Sequence, residues 1–145
     1  MQDRLFHISP GPGISVGEFI ETPIRDLMNP GVVAISADAS LRAAYRAMAY
    51  RRVHAVLVIA PDGRPLGWVT ARGLLSHVER DTSLTDIRDA ISEEALTIVS
   101  SASVAEAIEL MQASDSSHLI VVRQPGSFPV GTISDLDIAA FVGTL

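Results

Sequence analysis

The sequence predicts an α/β (α+β) fold in which two pseudo-symmetric β-α-β-β-α units pack together. The first observation is an internal repeat, because Ile24-Arg25-Asp26 recurs 63 residues later as Ile87-Arg88-Asp89. The second is that both copies alternate short β-branched runs with segments whose apolar residues follow helical spacing. The third is a junction of strand into helix that occurs twice, at 67–73 and at 131–137.

In the first copy, the clearest helix signal follows Ser40, a residue type favoured at the N-cap. From Leu41 onward the apolar residues recur at i, i+3, i+4 and i+7, which predicts one buried helix face. The strand at 53–59 is almost continuously apolar, which predicts burial on both faces. Pro61-Asp62-Gly63 predicts a hairpin turn after it. The predicted elements are a helical turn at 24–28, strands at 32–35, 53–59 and 66–70, and helices after Ser40 and from 71 to about 80.

The second copy repeats this order. Its predicted elements are a strand at 97–99, a helix at 103–114, strands at 119–122 and 130–134, and a helix at 135–142. Three short strands with helices leave one face of the sheet apolar, so the two units are expected to pack on each other. We therefore divide the chain into an N-terminal arm at 1–19, repeat one at 20–80, a linker at 81–86 and repeat two at 87–145.

Composition excludes several kinds of site. The chain has 145 residues and a net charge of −6, and it contains neither cysteine nor lysine. It therefore offers no thiolate nucleophile, disulfide, cysteine-based metal site, Schiff-base lysine or Walker A lysine. The negative charge argues against a nucleic-acid surface, and no run approaches the ~20 apolar residues of a membrane span. The N-terminus does not resemble a secretory signal, and the absence of disulfides suits the cytoplasm.

The two strand-to-helix junctions differ at one position. In the later copy, Ser134 stands at the N-cap and Asp137 follows three residues on, in the first helical turn. In the earlier copy, Thr70 takes the N-cap position, but Gly73 stands where the acid would be. A structural interpretation stays open, because an N-cap and a first-turn acid stabilise a helix by ~1 kcal/mol without any ligand.

The doubled unit, the G-h-h-[ST]-x-x-D junction and the apolar strand before a glycine-containing turn resemble the cystathionine-beta-synthase (CBS) domain as a tandem pair, called a Bateman module. The resemblance covers residues 20–143. It implies a regulatory, energy-sensing module that binds AMP, ADP, ATP or a related adenosine ligand in clefts between the repeats. It implies one nucleotide site made of Met28, Val33, Val53, His54, Ala55, Thr132, Ser134 and Asp137. The other cleft would join Trp68, Thr70 and Gly73 to Ile91, Leu96, Ser116, Ser117 and His118.

The residue types of the first site suit a nucleotide. The carboxylate of Asp137 can accept hydrogen bonds from both ribose hydroxyls through its two oxygens. Apolar side chains such as Val33 and Val53 suit the faces of a purine. Amides at the start of the helix that begins at Asp135 suit anionic groups.

Several charged residues have two interpretations. His54 and the adjacent Arg51-Arg52 are candidates for phosphate contacts. A histidine in an apolar strand is often a core or rim residue, however, and arginines at a helix C-terminus favour the helix dipole in any case. We interpret His118 as structural. Asp135 and Asp137 do not form a catalytic pair in our interpretation, because residues two apart on a helix do not face each other.

Three functions of different class are compared. The first is a sensor that binds an adenine nucleotide as a regulatory ligand, with no required cofactor and no metal. The second is a structural dimerisation module whose clefts are filled by side chains. The third is an enzyme, which the missing cysteine and lysine disfavour, as does the absence of Ser-His-Asp or two-His metal spacing. Because Gly73 lacks the carboxylate and Trp68 narrows the second cleft, one nucleotide per chain is expected.

A homodimer is also expected, because the final helix of each repeat carries more apolar surface than the sheets can cover. CBS pairs resemble this in joining as flat twofold discs through those helices. The apolar residues are Leu74, Leu75, Val78, Ile138, Phe141 and Val142.

Overall fold

The computed structural model describes residues 14–79, 82 and 85–145. The parts of the predicted arm and linker at 1–13, 81 and 83–84 lie outside the described residues. The helices are α1 (Val16–Phe19), α2 (Leu41–Arg51), α3 (Ala71–Leu74), α4 (Val104–Ser114) and α5 (Asp135–Val142), with 3-10 helices at Ile24–Asp26, Leu75–His77 and Ile87–Ala90. The strands are β1 (Asn29–Pro30), β2 (Ala34–Ser36), β3 (Ala55–Ile59), β4 (Pro65–Thr70), β5 (Thr97–Val99), β6 (His118–Val122) and β7 (Pro129–Ser134).

The strands form one sheet for each repeat. In repeat one, β2 runs parallel to β3, and β3 pairs antiparallel with β4. Repeat two has the matching arrangement of β5, β6 and β7, and β1 from the first half of the chain adds to the edge beside β7. The predicted α+β fold of two β-α-β-β-α repeats is confirmed.

The two sheets pack on each other through an apolar layer. Leu57 and Trp68 of repeat one meet Ile120 and Val122 of repeat two there, and each of these side chains is buried. The opposite face of β3 contributes to the core beneath α2. Burial on both faces explains why β3 and β6 are almost continuously apolar, and it was predicted for the strand at 53–59.

Each repeat completes its core with a segment from the start of the other. Phe19 and Ile24 are fully buried in the core of repeat two, where the Phe19 ring stacks on Phe141 with centroids 4.8 Å apart. In the reciprocal position, Ile87 and Ala90 are buried in the core of repeat one. We call this arrangement the reciprocal exchange. The point where one repeat ends in the sequence is therefore not a boundary between two cores.

Local signals explain most element ends. The side chains of Ser40 and Ser134 accept hydrogen bonds from amides three residues on, as their predicted N-cap role requires. The helix predicted from 71 to about 80 is shorter, because α3 contains Gly73 and gives way to the 3-10 helix after Leu74. The short strand β1 was not predicted, since asparagine and proline are poor strand formers. None of the described helices has the length and apolar character needed to cross a membrane.

A candidate ligand-binding cleft between the repeats

A cleft of about 1290 Å³ lies between the two repeats. Both strand-to-helix junctions line it, together with the segments that precede β2, β3, β5 and β6. The two clefts implied by the sequence are therefore continuous. We call the part around Ser134 and Asp137 the Asp137 half, and the part around Thr70 and Gly73 the Gly73 half.

In the Asp137 half, the Asp137 carboxylate is held through one of its oxygens. Oδ2 accepts hydrogen bonds from Asn29 Nδ2 and from the Ser134 backbone N–H, both at 2.9 Å. Ser134 Oγ in turn accepts from the Asp137 N–H at 3.2 Å, which completes a capping box. Within the described part of the chain, Oδ1 has no hydrogen-bond partner. That oxygen keeps two acceptor positions for a ligand.

Seven of the eight residues implied for the nucleotide site line this cleft: Val33, Val53, His54, Ala55, Thr132, Ser134 and Asp137. Val33 and Val53 are half-buried and supply apolar surface, while His54 is exposed. Met28 does not line the cleft. Its side chain packs against the core of repeat two, next to Gly131.

The first amides of α5 are less free for an anion than the sequence suggested. The Asp135 N–H donates to the Ser117 carbonyl at 3.0 Å, and the Asp137 N–H donates to Ser134 Oγ. Two of the first three amides of the helix are therefore already bonded within the protein. An anionic ligand group would depend on side chains instead.

Two cationic side chains line the same cleft. Arg51 and Arg52 lie at the C-terminus of α2, are exposed, line the cleft and form no ion pair with any described residue. Arg52 is held in the left-handed region at φ 54° as the C-cap. His54 follows two residues later and also lines the cleft. The two arginines supply the positive charge that a phosphate requires, and the His54 ring adds a hydrogen-bonding group.

Glu93, Ser117, His118 and Trp68 form a side-chain network that also lines the cleft between the repeats. Ser117 donates its hydroxyl hydrogen to Glu93 Oε2 at 2.6 Å and its backbone N–H to Glu93 Oε1 at 2.9 Å. Because that hydroxyl has one hydrogen, His118 Nδ1 is the donor in its 2.9 Å contact with Ser117 Oγ. The Trp68 ring packs on His118 with centroids 5.2 Å apart, and its buried Nε1 has no partner among the described residues.

Burial decides the charge of His118. Loss of hydration lowers its pKa below the ordinary value of 6.5, and this outweighs the carboxylates of Glu93, Asp135 and Asp137, which act to raise it. The ring is therefore neutral at pH 7, and its 4.0 Å approach to Glu93 is not an ion pair there. This agrees with the structural role expected for His118.

The strand-to-helix junction at Thr70 and Gly73 is covered by Ser92 of repeat two. Thr70 Oγ1 accepts from the Gly73 N–H at 3.0 Å and contacts Ser92 Oγ at 3.1 Å. A Cβ atom at Gly73 would stand 3.0 Å from both hydroxyl oxygens. Of the other residues implied for this cleft, Ser116, Ser117 and His118 line it, whereas Ile91 and Leu96 pack into the two cores.

Asn29 and Glu93 were missed from the sequence. Asn29 lies 108 residues before Asp137, and no local pattern joins them. The internal repeat contained a usable signal, because Asn29 and Ser92 are 63 residues apart and each contacts the junction of the opposite repeat. Glu93 follows Ser92 in the sequence and could have been found in the same way.

Solved structures share this fold. The CBS domain of a bacterial CNNM/CorC family Mg²⁺ transporter in complex with ATP is 21% identical, with a TM-score of 0.75, over 90% of this chain and 94% of that chain. A CBS domain protein from Pyrobaculum aerophilum complexed with AMP is 23% identical, with a TM-score of 0.72, over 83% of this chain and 95% of that one. A search of curated protein sequences gave no match. The model of the CBS domain family matches residues 24–80 and again residues 81–143.

Proposed function

The chain belongs to the CBS domain family as a tandem pair, and we propose that it is a regulatory module that binds an adenosine-containing nucleotide in the Asp137 half of the cleft. One observation carries the proposal. Asp137 Oδ2 is fixed by Asn29 and Ser134, while Oδ1 has no partner among the described residues. A carboxylate held in this way is suited to a ligand with neighbouring hydroxyl groups, such as a ribose.

The surrounding residues suit the rest of the nucleotide. The purine would lie against Val33 and Val53, the ribose hydroxyls would donate to Asp137 Oδ1, and the phosphates would extend toward Arg51, Arg52 and His54. Because two amides of α5 are bonded internally, the phosphates depend on side chains, above all on the positive charge of Arg51 and Arg52. This arrangement favours a nucleotide over a nucleoside.

The solved relatives support the ligand class, since one was obtained with ATP and another with AMP. We propose AMP, ADP or ATP as the regulatory ligand, sensed in the cytoplasm without chemical conversion. The Ser117–His118 contact does not favour catalysis. The Ser117 hydroxyl donates to Glu93 and accepts from His118, so the histidine is not the base of a serine–histidine pair.

The test is isothermal titration of the whole chain with AMP, ADP and ATP, with adenosine and GTP as comparison ligands. We expect saturable binding of at least one adenine nucleotide and weaker binding of adenosine, which lacks the phosphates. A nucleotide bound only by the folded state also raises the melting temperature. Absence of binding to all three at millimolar concentration would favour the alternative, a structural dimerisation module.

We further propose that the module is a homodimer joined through α3, α5 and their neighbours. Leu74 and Ile138 are buried within their own repeats, and Phe141 is stacked on Phe19. The apolar residues left exposed beside them are Leu75 at 71%, Leu136 at 61%, Val78 at 57% and Val142 at 42%. Exposed apolar groups of this kind mark interfaces. Sedimentation equilibrium at micromolar concentration tests the dimer, and a monomer would contradict it.

A further inference from the structure

The helices of the two repeats carry opposite charges. In repeat one, α2 contains three arginines and no acid. In repeat two, α4 contains two glutamates and no basic residue. Arg51 lines the cleft, whereas the exposed Arg42 and Arg46 of α2 and the exposed Glu106 and Glu109 of α4 do not. We call the two arginines Arg42 and Arg46 the basic face and the two glutamates the acidic face.

The contrast occurs at matched positions. Arg46 and Glu109 are 63 residues apart, and each is exposed in the middle of its helix, α2 or α4. Neither forms an ion pair with any described residue. Both side chains are therefore available for contacts with a second copy. Helix α2 contacts α3, which precedes the exposed Leu75 and Val78, and α4 contacts α5, which contains the exposed Leu136 and Val142.

We propose that two copies of this chain join antiparallel, with the basic face of each copy against the acidic face of the other. This inference rests on the homodimer proposed above and fixes its orientation. A twofold dimer through these helices has two possible arrangements. The parallel one places the two basic faces against each other and the two acidic faces against each other, which repulsion disfavours. The antiparallel one pairs opposite charges at both contacts while it covers the exposed leucines and valines.

Cross-linking reads the orientation directly, because the chain has no cysteine and an introduced thiol is unique. Ala49 and Gln112 are matched positions, 63 residues apart, uncharged and exposed on α2 and α4. We expect a flexible bis-maleimide to join Ala49→Cys chains to Gln112→Cys chains in an equimolar mixture. Each variant alone should cross-link far less. Efficient cross-linking of Ala49→Cys to itself would show the parallel dimer and overturn the proposal.

Charge reversal supplies an independent test. Arg46→Glu and Glu109→Arg should each weaken dimerisation about tenfold, because each change replaces attraction by repulsion at two symmetric contacts. The double variant should return to nearly the original dimer dissociation constant. A double variant at least as weak as either single variant would contradict the inference. The dissociation constant of the unmodified chain should also rise with salt concentration.

The experiments distinguish failure of the homodimer, of its orientation and of nucleotide binding. A chain that stays monomeric in sedimentation refutes the homodimer and this inference together. Self-cross-linking of a dimer refutes only the orientation. Nucleotide titrations of Arg46→Glu and Glu109→Arg report separately on the cleft, which neither residue lines.

Discussion

Replacing Asp137 with alanine separates the two roles that this carboxylate combines. A hydrogen bond to a charged group contributes roughly 1.5–3 kcal/mol, so one lost ribose bond weakens binding about 10- to 150-fold. Loss of both ribose bonds at Oδ1 weakens binding by roughly 10²- to 10⁴-fold. Asp137→Ala also removes the capping-box acid of α5, which costs about 1 kcal/mol of folding stability. We expect the binding effect to exceed the stability effect.

Glu106→Ala is the matched control. Glu106 holds the same capping-box position in α4, where its Oε2 accepts from the Ser103 N–H at 2.7 Å, and it does not line the cleft. Both variants should lose a similar free energy of unfolding, measured by urea titration. Only Asp137→Ala should lose affinity for AMP or ATP in isothermal titration. Equal affinities of Asp137→Ala and the unmodified chain, or an equal loss in both variants, would refute the assigned role.

Three further results are expected. Isothermal titration should give one nucleotide per chain, and Gly73→Asp should not add a second, because a Cβ atom there would stand 3.0 Å from the hydroxyl oxygens of Thr70 and Ser92; two equal sites in the unmodified chain would contradict this. The folded state disfavours protonated His118, so the unfolded chain binds more protons below the ordinary pKa of 6.5, and the free energy of unfolding should fall as the pH falls from there. His118→Gln should reduce that slope in urea titrations at pH 5 to 8, and an unchanged slope would assign it to other groups. Phe19→Ala should cost about 3–5 kcal/mol of unfolding free energy, because the ring is fully buried against Phe141; a cost under about 1 kcal/mol would show that α1 is not part of the core.

Local sequence signals were sufficient to predict the secondary-structure elements and their order. The hydroxyl groups of Ser40 and Ser134 act within one helical turn, and the apolar run of β3 records burial on both faces. These effects act over a few residues, so they can be recognised in the local sequence. The internal repeat then supplied the pairing of the two units. The resemblance to CBS pairs, rather than the repeat alone, implied the cleft residues.

The features that the sequence did not predict depend on contacts between distant segments of the chain. The Asn29–Asp137 hydrogen bond joins residues 108 apart, and β1 exists only because β7 offers an edge to it. Phe19 was placed in an arm, since its partner Phe141 stands near the other end of the chain. Gly73 indicated the absence of a carboxylate, but the Ser92 hydroxyl, 3.0 Å from where a Cβ atom of residue 73 would stand, could not be inferred from Gly73 alone.

The reciprocal exchange bears on how such a chain could have arisen by duplication. A single unit that begins with its own short helix lacks the buried pair that Ile87 and Ala90 supply to repeat one, so it could complete its core only by borrowing from a second molecule. The unduplicated ancestor would then have been an obligate, segment-swapped dimer, stable only above a threshold concentration. Joining two units in one chain makes that association intramolecular, so folding no longer depends on protein concentration. Once tandem, the two copies no longer had to stay identical, and Asp137 and Gly73 could diverge.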